Sequence, residues 1–263
     1  IMTSEANDAE TQAFFRDHAF FGYPEREIFV FRQEMAPAVD LNGKLLMSAK
    51  DSLALSPNGN GGWYASLMRA GLVAEAEERG IEWFNVFAVD NVLQRMADPV
   101  FLGATIASGL ATGAKYVRKA YPEERVGVLC LEDGLPGVIE YYELDRKMAE
   151  LRDRAGRLVY AYGVTLNYLF RADILRSIAE KRLPVHIAKK KVPCLNADGV
   201  LVEPETENGC KFETLILDMI RCAGSCLPFE VEREREFAPI KNRTGTDSVD
   251  TARVLLEKNG VKL

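Results

Sequence analysis

Residues 81–91 read IEWFNVFAVDN, an almost unbroken apolar run rich in aromatic and β-branched side chains. A strand with one wet face alternates apolar and polar positions, so this run fits a strand covered on both sides, as in sheets flanked by helices. The run ends in a carboxylate, Asp90. In open sheets of this kind ligands gather outside the carboxyl ends of strands. Asp90 therefore stands where a metal ligand would stand, and capping a helix that starts near Val92 is the other use open to it.

The stretch before it is built differently. Residues 52–55 alternate as a strand does, residues 56–64 read SPNGNGGWY, and Tyr64, Leu67, Met68 and Leu72 then keep helical spacing. Glycines let a backbone approach a ligand without a Cβ in the way, and a helix start offers unpaired N–H groups, which together suit a polar or anionic ligand. An ordinary strand-to-helix turn with an Asn cap uses the same residues.

Charge and composition narrow the classes. With 48% hydrophobic residues, 27% charged residues and a formal net charge of -6, the chain has the make-up of a globular protein without the basic face that a nucleic-acid partner requires. No apolar run approaches the roughly 18 residues that a membrane span needs, and no basic stretch followed by an apolar one opens the chain. No membrane partner and a cytoplasmic location are therefore expected. The five cysteines, at 130, 194, 210, 222 and 226, form no CxxC pair, which suits buried thiols in a reducing compartment. The two histidines, His18 and His186, are far apart in sequence. Chemistry here has to run on carboxylate, lysine, amide and backbone groups.

Periodicity and turn residues predict a helix over 8–18 with Ala9, Ala13 and Phe14 turned inward, and a strand over 28–31 followed by Gln33. They also predict a turn at 40–44, a helix over 99–109, a strand over 113–120, and strands over 125–131 and 137–141 joined at Glu132-Asp133-Gly134. Residues 210–223 read as an amphipathic helix with Lys211 in its first turn, where a cation opposes the helix dipole unless it serves an anion. A closing helix is expected over 247–258. Strands alternating with helices imply an α/β fold with a Rossmann-like mixed sheet, read as one domain over 1–235 with a C-terminal extension over 236–263.

Several blocks, taken in order, carry a resemblance: IMTSE, FRQEMAPAVDLNGKLL, SPNGNGGWY, VDNVL, ADPVFLG, GAKYVRKAYPEERVGVL, GVIEYYEL, HIAKKKVP, NGCKFETLILDMI and EFAPIKN. Together they resemble the eukaryotic-type UDP-sugar pyrophosphorylases, above all the UDP-N-acetylhexosamine pyrophosphorylases. The resemblance implies the nucleotide-diphosphosugar transferase fold and a uridylyltransferase that takes UTP, a sugar 1-phosphate and Mg2+. It makes Gln33 a uracil contact and Asp90 the metal ligand. Lys211 and Lys241 become the catalytic, phosphate-binding lysines, Gly59 a nucleotide contact, and Asn60, Glu140, Tyr141 and Gly163 contacts of the sugar phosphate. Asp90, Lys211 and Lys241 are then expected to converge on the phosphates of a uridine nucleotide.

Three departures from the family pattern are visible. Glu34 stands where a glycine is usual after the glutamine. Ala161, Val164 and Tyr168 replace residues of the pattern NAGNIxNHFF, while Gly163, Asn167 and Phe170 keep it, which leaves N-acetylglucosamine or a related hexose as the sugar. The Gly-rich signature LxxGxGTRLG is absent from the sequence, so an N-terminally truncated version of the fold is expected, and a non-catalytic UDP-sugar-binding module is the alternative reading.

Overall fold

The apolar run that ends in Asp90 forms the strand Trp83–Phe87, paired along its length with the longest strand of the protein, Tyr162–Arg171. The computed structural model describes residues 1–262, which form two compact units: Ile1–Ile81 with Ala179–Met219, and Glu82–Ile178 with residues 220–262.

The second unit is built on a six-stranded mixed sheet. Its path runs Leu135–Ile139, Val128–Glu132, Tyr162–Arg171, Thr112–Arg118, Leu227–Glu230, and Trp83–Phe87 pairs with Tyr162–Arg171. Only Leu227–Glu230 against Thr112–Arg118 is a parallel pair. Ala114, Val117, Val128 and Phe170 are fully enclosed, and Phe101 on the helix Pro99–Ala107 is nearly so. Each such phenylalanine contributes roughly 1.5–3 kcal/mol through lost contact with water. The long strand breaks register between Val164 and Tyr168, where Leu166 takes a left-handed φ of 52°. The expected hairpin is present: Asp133 and Gly134, with φ of 52° and 79°, form the two-residue primed turn that matches strand twist.

The first unit holds an antiparallel three-stranded sheet, ordered His186–Lys190, Gly209–Glu213, Val39–Asp40, together with the helices Asp8–Asp17, Trp63–Arg69 and Leu72–Glu78. Among the described residues no helix is long and apolar enough to cross a membrane.

Four local expectations are corrected. Lys211 lies on the strand Gly209–Glu213, opposite Ala188, and the helix starts only at Ile216. Ladders to both neighbouring strands take up the backbone groups of this segment, and the helical spacing that reaches back to Phe212 belongs to residues from 216 onward, so the dipole argument for Lys211 lapses. The strand over 28–31 shrinks to Phe31–Arg32, parallel to Met2–Thr3. No helix follows Asp90; the next one begins at Pro99, and its cap is Asp98, which accepts from the Val100 N–H at 3.0 Å. Phe14 is 51% exposed rather than inward.

What the helix Asp8–Asp17 buries instead is Asp8, 4% exposed, which accepts from Thr3 Oγ1 at 2.6 Å, Gln12 Nε2 at 3.0 Å and Arg32 Nη2 at 2.7 Å. The Thr3 hydroxyl and the Arg32 guanidinium hold the Asp8 carboxyl below the usual carboxylate range. A depressed folded-state pKa gives stability that is present above the unfolded carboxylate value and is lost as pH falls through the folded one. Asp8→Asn is therefore expected to be less stable than wild type near neutrality, with the gap closing below about pH 4. Urea titrations at several pH values measure it, and a gap independent of pH would contradict it.

Candidate functional site

Asp90 follows the strand Trp83–Phe87 in a turn, and a second segment is laced to it. The Asp90 carbonyl accepts from the Ile240 N–H at 2.9 Å, and Asn91 bridges to Pro239. The buried Asn91 amide accepts from the Ala238 N–H at 2.8 Å and donates to the Glu236 carbonyl at 2.8 Å. Lys241 is thereby brought next to Asp90 along the backbone. The Asp90 carboxylate is half-buried, Lys241 is exposed, and among the described residues neither side chain has a hydrogen-bond or ion-pair partner.

An amide network fixes the loop that carries Asp90. Asn85 Nδ2 donates to Asn167 Oδ1 at 2.7 Å and to the Tyr168 carbonyl at 3.0 Å, and Asn85 Oδ1 accepts from the Ala97 N–H at 2.9 Å. The fully enclosed Asn167 donates to Gln94 Oε1 at 3.1 Å. At the register break, the Leu166 carbonyl accepts from the Ala88 N–H at 3.2 Å and from Gln94 Nε2 at 3.4 Å. Buried amides satisfied this completely give a loop one conformation.

Below the loop lies an ion cluster that sequence reasoning missed. Lys115, 1% exposed, donates to Asp98 Oδ2 at 2.7 Å and to Glu236 Oε2 at 2.6 Å, and Arg95 reaches Glu236 at 3.5 Å. Burial pushes the Asp98 carboxyl up, but the hydrogen bonds from Lys115 and the Val100 N–H more than offset that and hold it below the usual range. The available signal was the lysine itself, a lone cation inside the otherwise covered strand Thr112–Arg118.

In the first unit the Gly-rich loop lies against the turn that follows Lys211. The Gly61 N–H donates to the Thr214 carbonyl at 2.8 Å, and the Thr214 N–H returns to the Asn58 carbonyl at 2.8 Å. Asn60 Oδ1 accepts from the Ile216 N–H at 2.9 Å, so the asparagine caps a helix, though one distant in sequence. Gly59 has a φ of 87°, and a Cβ on Gly61 would sit 2.8 Å from the backbone of Thr214 and Leu215. The glycines allow two backbones to touch. Gly61→Ala is expected to lose about 1–3 kcal/mol in a urea melt, the range for forced overpacking, and a neutral result would show that the loop yields.

Gln33 adjoins this loop. The Asn58 N–H donates to the Glu34 carbonyl at 3.2 Å, and Met35–Pro37 pairs with Leu55–Pro57. The Gln33 N–H bonds to the Thr3 carbonyl at 2.8 Å, and among the described residues its side-chain amide has no partner. Gln33, Gly59, Asn60 and Lys211 thus belong to the first unit, and Asp90, Glu140, Tyr141, Gly163 and Lys241 to the second. Gly163 pairs with Val128, and a Cβ on it would meet Val126 at 2.8 Å. Glu140 is half-buried beside Gly127, and the exposed Tyr141 lies edge-on to Tyr142 with ring centroids 5.3 Å apart.

A mixed sheet, one of whose strands leads to a carboxylate without a partner among the described residues, beside a cation held on a laced segment, fits the α/β folds of the nucleotidyltransferase type. Residues 1–258 match the family described as UTP–glucose-1-phosphate uridylyltransferase, and the chain belongs to that family. It is 42% identical over 261 residues to UDP-N-acetylhexosamine pyrophosphorylase-like protein 1 of Homo sapiens, covering 97% of this chain and 52% of that protein. It is 37% identical to the UDP-N-acetylglucosamine pyrophosphorylase of Saccharomyces cerevisiae, covering 99% of this chain and 56% of that protein. The crystal structure of the UDP-N-acetylglucosamine pyrophosphorylase of Trypanosoma brucei in complex with an inhibitor superposes with a TM-score of 0.84 at 30% identity, over 97% of this chain and 52% of that one. The chain spans about half the length of the curated relatives it matches.

Proposed function

We propose that this chain contributes the greater part of a site that makes a UDP-sugar and pyrophosphate from UTP and a sugar 1-phosphate. The observation that carries the reading is the lacing of the Lys241 segment onto the loop of Asp90, which keeps a free cation and a free carboxylate together. The sugar 1-phosphate oxygen attacks the α-phosphorus of UTP in line, a P–O bond forms as the α–β bridge breaks, and pyrophosphate leaves with the electron pair. Two anions must meet, so the barrier is mainly electrostatic. Lys241 offsets charge on the nucleotide phosphates, and Lys211 does so on the sugar phosphate. Gln33 offers the uracil a donor and an acceptor through one amide. Gly59 and Asn60 present backbone and amide to the ligands, and Glu140, Tyr141 and Gly163 border the sugar, which is N-acetylglucosamine or a related hexose.

Among the described residues no group of three or more metal-ligating side chains occurs. Mg2+ is commonly held by one or two carboxylates with waters and substrate phosphates completing its shell. Asp90, with its oxygens uncommitted, is the residue proposed to hold it. Bound there, Mg2+ would supply charge neutralisation at the phosphates. The net charge of -6 favours small-molecule partners over nucleic acid, and a cytoplasmic location is part of the same reading.

The test mixes the protein with UTP, Mg2+ and a panel of sugar 1-phosphates, follows pyrophosphate release, and titrates UDP-sugars by calorimetry. Release with one sugar supports the transferase. Binding without release points to a UDP-sugar-binding module, and neither binding nor release would overturn both readings.

A further inference from the structure

A cavity of about 620 Å³ opens in the second unit between residues 118–122 and the turn that carries Arg152 and Arg157. Its charged lining consists of Arg118, Lys119, Arg152 and Arg157, with no carboxylate among the described residues. In a chain with a net charge of -6, four cations around one hollow are not a sample of the average surface. The neighbouring cavity of about 500 Å³, on the other side of Lys119, mixes Lys119 and Arg146 with Glu123, Glu124 and Glu150.

Two of the four cations are neutralised from outside the hollow. Arg118 donates to both oxygens of Glu230 at 2.8 and 3.0 Å, and Arg157 Nε donates to Asp153 at 2.9 Å. The other two have no carboxylate within salt-bridge distance among the described residues. Arg152 gives one of its five N–H groups to the Gly156 carbonyl at 2.9 Å. Lys119, only 7% exposed, donates to the Pro122 carbonyl at 2.6 Å. Glu124, beside it, is held by Arg233 at 2.7 Å and by the Ala120 N–H at 2.7 Å. Burial lowers the Lys119 pKa, and the nearby charges of Glu124 and Glu123 offset that only in part.

We propose that this cavity binds a small phosphate-bearing anion. The two cations without a salt-bridged carboxylate match the charge of a phosphomonoester near neutral pH, and the free part of the Arg152 fork suits phosphate oxygens. The volume exceeds that of phosphate alone and falls within the range of small-molecule pockets, so a phosphorylated metabolite fits. Asp90, Lys211 and Lys241 take no part in the cavity, which reaches Ala161 and, through Lys119, lies beside Gly163.

Calorimetric titration tests it in a Lys211→Ala/Lys241→Ala background, which removes the phosphate contacts proposed above. Inorganic phosphate and a hexose 6-phosphate serve as separate probes. Binding in the background, weakened at least about tenfold by adding either Arg152→Ala or Lys119→Met, is the expected result. Tighter binding of the ester assigns the site to a metabolite, and equal binding assigns it to free phosphate. No binding of either probe, or affinities unchanged by Arg152→Ala, would overturn the proposal. Arg152 is exposed, so its replacement leaves folding intact and keeps the test decisive.

Discussion

Replacing Lys241 by alanine is expected to slow pyrophosphate release by about 10²–10³-fold, the effect of removing one preorganised donor from a developing anion. The side chain is exposed and has no partner among the described residues, so its loss should change stability by less than about 0.5 kcal/mol. A large kinetic effect with an unchanged urea melt separates a ligand contact from a structural one. If the lysine acts in the transition state, kcat falls with kcat/KM; if it only binds UTP, KM rises and kcat stays. Lys241→Arg should keep part of the activity, because the charge remains while the geometry changes. Turnover equal to wild type in Lys241→Ala would remove this residue from the site.

Lys115→Met should produce the largest change in stability. The substitution leaves Asp98 buried without its cation and Glu236 with Arg95 alone at 3.5 Å, and breaking a buried ion pair from one side loses about 3–5 kcal/mol. The thermal midpoint should fall by on the order of 10 °C. A triple variant, Lys115→Met/Asp98→Asn/Glu236→Gln, should recover much of the loss, because uncharged amides remove the stranded carboxylates. If the triple variant is no more stable than Lys115→Met, the loss lies in packing and not in charge. A decrease below about 1 kcal/mol in Lys115→Met would show that water or rearrangement relieves the carboxylates.

Where the signal was local, the sequence was enough. The apolar run before Asp90 specifies a strand, but not the cover expected on both its faces, since Trp83–Phe87 pairs with a single neighbour, is only half-buried and leaves Phe87 exposed; Asp133-Gly134 specifies the turn found. Lys211 misled because an apolar pattern two residues from a real helix fits helical spacing as well, and only pairing with residues 186–190 and 39–40 decides for a strand. The cap supplied by Asn60 was legible as chemistry but not as an address, since its helix begins 156 residues away. Lys115 showed itself as an oddity in a covered strand, but its partners are 17 and 121 residues distant and nothing local names them. The positions of Asp90 and Lys241 followed from resemblance; the ladder that joins their segments did not.

The break at Leu166 gives the long strand two tenants along one margin: Val128–Glu132 beside its first half and Trp83–Phe87 beside its second. The two tenants share no ladder with each other, so a change of length in the hairpin that precedes Glu140 and Tyr141 is expected to leave the pairing of Trp83–Phe87, and the mooring of Asp90 beyond it, in place.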